Sequence, residues 1–124
     1  MAPVPAPRRG EIWYVQLPSD PPDKGRRPVV IVSINPRNTH DHASTVLVVP
    51  LTTNITRLAP THLLLKTGET GLGSNSAARA ESITEVRKLD LLPSRTPLRA
   101  LSSSKVCELA RLVQVAVGCP LPEN

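Results

Sequence analysis

Two side chains in this sequence have the types and the setting to act on a phosphodiester. Arg27 stands in Gly25-Arg26-Arg27-Pro28, at the head of the apolar run Val29-Val30-Ile31-Val32. The ring of Pro28 disfavours helix at the residue before it and keeps Arg27 extended. A guanidinium fixed at a strand mouth offers forked donors to an anion and would stabilise the extra charge of a phosphorane-like transition state. A guanidinium stays protonated and is a poor base, so any proton it gives goes late, to a strongly basic leaving oxygen. The plainer alternative is a surface arginine at a strand entrance. Thr52 and Thr53 follow the second apolar run, Val46 to Leu51. Adjacent strand residues face opposite sides, so one of the two can enter a given site. Its hydroxyl can hold a ribose 2′-hydroxyl or a phosphate oxygen, although ordinary β-propensity also favours threonine there.

Around these two lie further candidates. Lys24 and Arg26 crowd the same loop end as Arg27, and Asn54 follows the threonines. Glu81 and Ser82 are expected on opposite faces of a fifth strand, where a carboxylate and a hydroxyl could read base edges. Plain strand solubility would also explain them. His40 and His42 would share a face if extended, like half of a metal site, but no third ligand has a fitting spacing. A two-histidine acid–base nuclease is possible in principle. His62, after Pro60-Thr61, reads better as a partly buried histidine with a backbone partner. A nucleotide-binding glycine loop, a zinc-spaced cysteine set and a nucleophile elbow are all missing.

The elements that must position these groups are short. Residues 1–7, Met-Ala-Pro-Val-Pro-Ala-Pro, read as an extended tail. Glu11 to Leu17 alternates as a strand, with Trp13, Val15 and Leu17 opposite Ile12 and Tyr14. Residues 18–25 form a proline-stiffened loop. Val29 to Ile34 is expected as a central strand, followed by a turn at Asn35-Pro36-Arg37-Asn38. Val46 to Thr52 is the next strand, and Pro50 inside it points to an edge or a bulge. A fourth strand runs from Pro60 to Leu65, a glycine-rich hairpin loop over 67–75, and a fifth strand over Ser76 to Val86. Lys88 to Leu92 suggests a turn of helix, and Pro97 to Leu101 a last short strand. Ser102 or Ser103 caps a helix whose buried face is Val106, Leu109, Ala110, Val113, Ala116 and Val117, stopped by Gly118 and Pro120. These elements predict one domain over 8–119 and a short tail over 120–124. The architecture expected is mainly β: a small, partly open barrel with the C-terminal helix laid across it.

Composition narrows the partners. The 124 residues carry 15 Lys plus Arg against 10 Asp plus Glu, a net charge of +5, and arginine supplies 11 of the cations. That balance without a basic run fits a local patch for an anionic partner on a folded domain, while solubility alone would also account for it. Cys107 and Cys119 would stand about 18 Å apart along a helix, too far for a disulfide, as expected in a reducing cytoplasm. No run approaches the roughly 18 apolar residues of a membrane span, and the N-terminus has no apolar signal core.

In order along the chain, Arg9-Gly10-Glu11-Ile12-Trp13-Tyr14-Val15, Gly25 to Ser33, Val48-Val49-Pro50-Leu51-Thr52-Thr53-Asn54, Pro60-Thr61-His62 and Ala80-Glu81-Ser82-Ile83 resemble the MazF/PemK family of toxin ribonucleases. The resemblance runs from about Arg9 to Gly118. It implies an SH3-like barrel of the CcdB/MazF type and a homodimer. It also implies metal- and cofactor-independent cleavage of single-stranded RNA, in which the 2′-hydroxyl attacks the adjacent phosphate. The family's catalytic arginine falls on Arg27 and its catalytic threonine on Thr52. RNA contacts are implied at Ser19, Asp23, Lys24, Arg26, Thr53, Asn54, Glu81 and Ser82. A cognate antitoxin, acidic and disordered when free, is the implied protein partner. Two positions depart from the family. Asp20-Pro21-Pro22-Asp23 stands where many relatives carry Gly-Ser-Glu-Gln, and Thr84 stands where many are basic. The competing expectations are a binding-only relative such as a CcdB-type gyrase poison, whose terminal Trp-Gly-Ile this chain does not share, and a non-catalytic RNA-binding module.

Overall fold

The computed structural model describes residues 6–118. The expectations for Met1 to Pro5, for Cys119 and for the tail beyond it lie outside the described residues. Seven strands form one curled antiparallel sheet. They are β1 (Glu11–Val15), β2 (Arg27–Ile31), β3 (Thr45–Thr52), β4 (His62–Leu65), β5 (Ser76–Arg79), β6 (Thr84–Arg87) and β7 (Arg99–Ala100). Their order is β4-β5-β3-β2-β1-β7, with β6 also paired to β3. Helix α1 (Asn35–Asn38) replaces the expected turn, α2 (Thr67–Thr70) lies in the glycine-rich loop, and α3 (Ser103–Val117) closes the chain.

The sheet is covered on both faces, which is why β2 is apolar from Pro28 to Ile31. On one face Ile12, Val30, Val49, Leu51, Leu63, Leu65 and Ala78 pack beneath Val106 and Leu109 of α3. On the other, Trp13, Val15, Leu17, Val29, Ile31, Val46 and Val48 meet Val86 and Leu91. Ser102 caps α3 by accepting from the Lys105 N–H. Its buried face ends sooner than the 3.6-residue spacing predicts. Val106 and Leu109 are buried, but Ala116 is exposed and Val117 is 72 % exposed.

Two other expectations are corrected. Pro50 lies on a central strand, not at an edge. Val32 donates to the Leu47 carbonyl at 2.9 Å, so alternate β2–β3 pairs are hydrogen-bonded and Pro50, opposite Val29, turns its nitrogen away from β2. On that far side β6 pairs only as far as Val48 and β5 begins at Leu51. The missing N–H therefore falls in the seam between two partners. The second correction concerns Ser76 to Val86, which is two strands and not one. A 3-10 turn over Ala80–Ser82 breaks it, so the chain leaves β5 and joins the other half of β3 as β6.

Candidate nucleic-acid site at the end of β3

Arg27 opens β2 and Thr52 closes β3. The β2–β3 register pairs Val29 with Pro50. Continued by one two-residue step past that pair, the register sets Arg27 and Thr52 on the same face at neighbouring strand ends. The continued register thus sets the cation and the hydroxyl at adjacent strand ends on one face. Thr52 also pairs with Ala77 of β5, so its strand has a neighbour on either hand.

Arg27 is held by a residue the sequence reading did not single out as a site residue. Its Nη1 lies 3.5 Å from both carboxylate oxygens of Asp20, with side chains 21 % and 11 % exposed. The contact is long and lacks the parallel fork of a tight bidentate pair, so it steadies the guanidinium while leaving donors free. The signal for Asp20 in the sequence was only its place in the β1–β2 loop. The Thr52 hydroxyl accepts from the Asn54 N–H at 3.1 Å, which leaves its proton and a lone pair available.

The other expected residues divide. Asn54 is occupied in the turn after β3, where its Oδ1 accepts from the Thr56 hydroxyl at 2.7 Å. Thr53 is exposed, on the opposite alternation from Thr52. Ser19, Asp23 and Lys24 are exposed along the β1–β2 loop, the last two within a 3-10 turn, Pro22–Lys24. Arg26 parts from Arg27 and turns to the Tyr14 side. There its Nη1 donates to Ser94 Oγ at 3.3 Å beside a cleft of about 560 Å³ lined by Tyr14, Pro93, Thr96, Pro97 and Leu98.

Glu81 and Ser82 lie in the 3-10 turn after β5, so they do not alternate across a strand as expected. Glu81 is instead anchored to the start of β4. His62 Nδ1 accepts from the Ala59 N–H at 3.0 Å, which leaves Nε2 to carry the proton and donate to Glu81 Oε2 at 2.9 Å. The Thr61 hydroxyl donates to Oε1 at 3.0 Å. Partial burial opposes ionisation of Glu81, but these hydrogen bonds and its own backbone N–H prevail and hold its carboxyl below the ordinary glutamate value. The backbone partner expected for His62 is present. His40 and His42 lie in the α1–β3 loop with rings 5.5 Å apart. Among the described residues no three His, Cys, Asp or Glu side chains gather as a metal site, and no helix is long and apolar enough to cross a membrane.

Known proteins resemble the chain in sequence and in fold. The chain is 34% identical over 110 residues to the endoribonuclease MazF9 of Mycobacterium tuberculosis, covering 82% of this chain and 88% of that protein. A solved endoribonuclease in complex with its cognate antitoxin, from a mycobacterial species, superposes with a TM-score of 0.73 at 26% identity, over 94% of this chain and 99% of that one. A second mycobacterial endoribonuclease gives 0.74 at 25% identity, over 96% and 98% of the two chains. The family profile for PemK-like, MazF-like toxins matches residues 8–117. With almost the whole described chain spanned by that profile, the protein belongs to the PemK-like, MazF-like toxin family of type II toxin–antitoxin systems.

Proposed function

We propose that the chain is an endoribonuclease toxin that cuts single-stranded RNA at the Arg27–Thr52 step, without a metal or cofactor. The observation that supports this reading is a half-buried guanidinium and a partly free hydroxyl at the adjacent ends of β2 and β3, on the same sheet face by alternation. Thr52 orients the ribose 2′-hydroxyl. The O2′–P bond forms as the P–O5′ bond breaks, leaving a 2′,3′-cyclic phosphate. The 2′-hydroxyl proton passes to water and the departing O5′ takes one up, from Arg27 late in the step or from solvent. Throughout, Arg27 binds the equatorial phosphate oxygens as their charge grows. An RNA substrate sets the work in the cytoplasm. The remaining parts of the proposal are a homodimer and an acidic antitoxin that covers the basic rim when bound.

The test is cleavage of a long RNA in EDTA, with the new 5′ ends mapped. Discrete cuts are expected, reduced about 10²- to 10³-fold in kcat by Arg27→Ala, as for loss of one preorganised transition-state donor. Thr52→Ala is expected to fall by at least tenfold. Cleavage undiminished in both variants would refute the assignment. Light scattering behind a sizing column checks the dimer.

A further inference from the structure

A second arginine shares the sheet face of Arg27 and Thr52. The β3–β5 register pairs Thr52 with Ala77, and β4–β5 pairs Arg79 with His62. Alternation puts Arg79 on the same face as Ala77, hence on the Thr52 face, diagonally across from the hydroxyl. Diagonal neighbours stand about 7–8 Å apart, within reach of a long side chain. Thr52 thus sits on a strand flanked by two guanidinium groups, Arg27 directly opposite on β2 and Arg79 one step along on β5.

The surroundings of Arg79 repeat those of Arg27. Glu81 Oε2 lies 3.6 Å from Arg79 Nε, as Asp20 lies 3.5 Å from Arg27 Nη1. In each case a carboxylate steadies a guanidinium at a distance too long for a strong hydrogen bond. Glu81 is already satisfied by His62 and Thr61, so it does not need Arg79. The Arg79 Nε is enclosed and makes no hydrogen bond, while the side chain as a whole is 42 % exposed. A half-exposed guanidinium with donors that the surrounding side chains do not use is the condition of a cation open to an anion.

We infer that Arg79 is a second phosphate-binding residue of the site, contacting the RNA backbone beside the scissile phosphate, with the Thr61–His62–Glu81 cluster as its positioning support. This rests on the RNA-cleaving reading above. Arg79 takes no part in bond making; it fixes the register of the strand over Thr52.

The test compares wild type, Arg79→Gln and Arg79→Lys, with Arg111→Gln on exposed α3 as a cation away from the site. The probe is a single-stranded RNA carrying one 2′-deoxy sugar at the mapped cut, titrated from low to moderate salt. Arg79→Gln is expected to weaken binding roughly 5- to 50-fold. It should also flatten the slope of log K against log salt by about 0.7, the value of one lost phosphate contact on a single strand. KM should rise by a similar factor with kcat within about threefold. Arg79→Lys should keep the slope, and Arg111→Gln should change nothing. An unchanged slope in Arg79→Gln overturns the inference, and so does a slope lost equally in the lysine variant, which would mark a structural role. Should wild type fail to cut RNA, the nuclease reading falls, and the same slope comparison on uncut RNA still decides Arg79.

Discussion

Replacing Asp20 by asparagine should make the protein bind RNA more tightly without slowing the chemical step. Both carboxylate oxygens lie 3.5 Å from Arg27 Nη1. At the effective dielectric of a near-surface pair, that separation corresponds to roughly 4–5 kcal/mol of raw attraction. Exposure and the entropy of holding two side chains remove most of it. Exposed pairs net about 0.2–1 kcal/mol, and breaking a buried pair costs about 3–5 kcal/mol. With one partner 21 % and the other 11 % exposed, a net coupling of about 1–2 kcal/mol is the reasonable middle. An arriving phosphate competes for the same guanidinium. Removing the competing charge returns that coupling to substrate binding, a fall in KM of about 5- to 30-fold. The assay is steady-state and single-turnover cleavage of a short fluorescent RNA containing the mapped site. An unchanged or higher KM would show that Asp20 does not compete. A tenfold or greater loss of kcat would show that Asp20 serves the chemical step, by positioning Arg27 or by taking the nucleophile's proton, and either result refutes the reasoning.

Other expectations follow from packing and charge. Leu109→Ala, fully buried under α3, should cost about 2–5 kcal/mol in denaturant unfolding, whereas Val117→Ala, exposed on the last turn, should stay within about 0.5 kcal/mol. Gly10→Ala should destabilise by about 1–3 kcal/mol and lower Tm by several degrees. Gly10 has φ +94°, and an added Cβ would sit 3.1 Å from both the Leu101 carbonyl and Val106 Cγ2. Glu81 has a lowered folded-state pKa, so its ionised form adds stability above the ordinary glutamate value and loses it as pH falls through the folded value. Denaturant midpoints of wild type and Glu81→Gln should therefore differ most near neutrality and converge well below pH 4.5; a gap that widens on acidification would contradict this.

Local signals carried much of this. The Arg27-Pro28 step and the apolar runs were enough to place a cation and a hydroxyl at strand ends, because proline restriction and β-branching act within a few residues. The serine cap and the first two buried turns of α3 were legible for the same reason. What failed depended on partners distant in sequence. Pro50 reads as an edge or bulge residue because nothing local reveals that β3 changes neighbour there. The 3-10 turn at Ala80–Ser82 was hidden inside a period-2 pattern that continues smoothly on either side of it. The last turn of α3 keeps its helical spacing although its apolar side chains stay exposed. Asp20 and Arg79 were invisible as site residues, since each matters only through a cross-strand or cross-loop neighbour.

The seam at Pro50 explains why the site lies where it does. A threonine on an edge strand could be approached by a side chain from one neighbouring strand only. Thr52 has two neighbours because β3 keeps β2 along one side and exchanges β6 for β5 along the other. That exchange leaves one position with no hydrogen-bond partner, and proline is the residue whose missing N–H makes the vacancy harmless. Val48 ends the pairing with β6 and Leu51 begins the pairing with β5, so Thr52 is the second residue past the gap and Arg79 stands beside it on the incoming strand. The same turn, Ala80–Ser82, that carries the chain from β5 to β6 also supplies Glu81, which reaches back to His62 and Thr61. Sheet topology and site geometry are therefore one arrangement. A chain in which β5 ran straight on through residues 80–82 would keep its apolar alternation and the Thr52–Ala77 pair, but it would lose the turn that brings Glu81 back to His62 and Thr61, and with it the anchored acid beside Arg79.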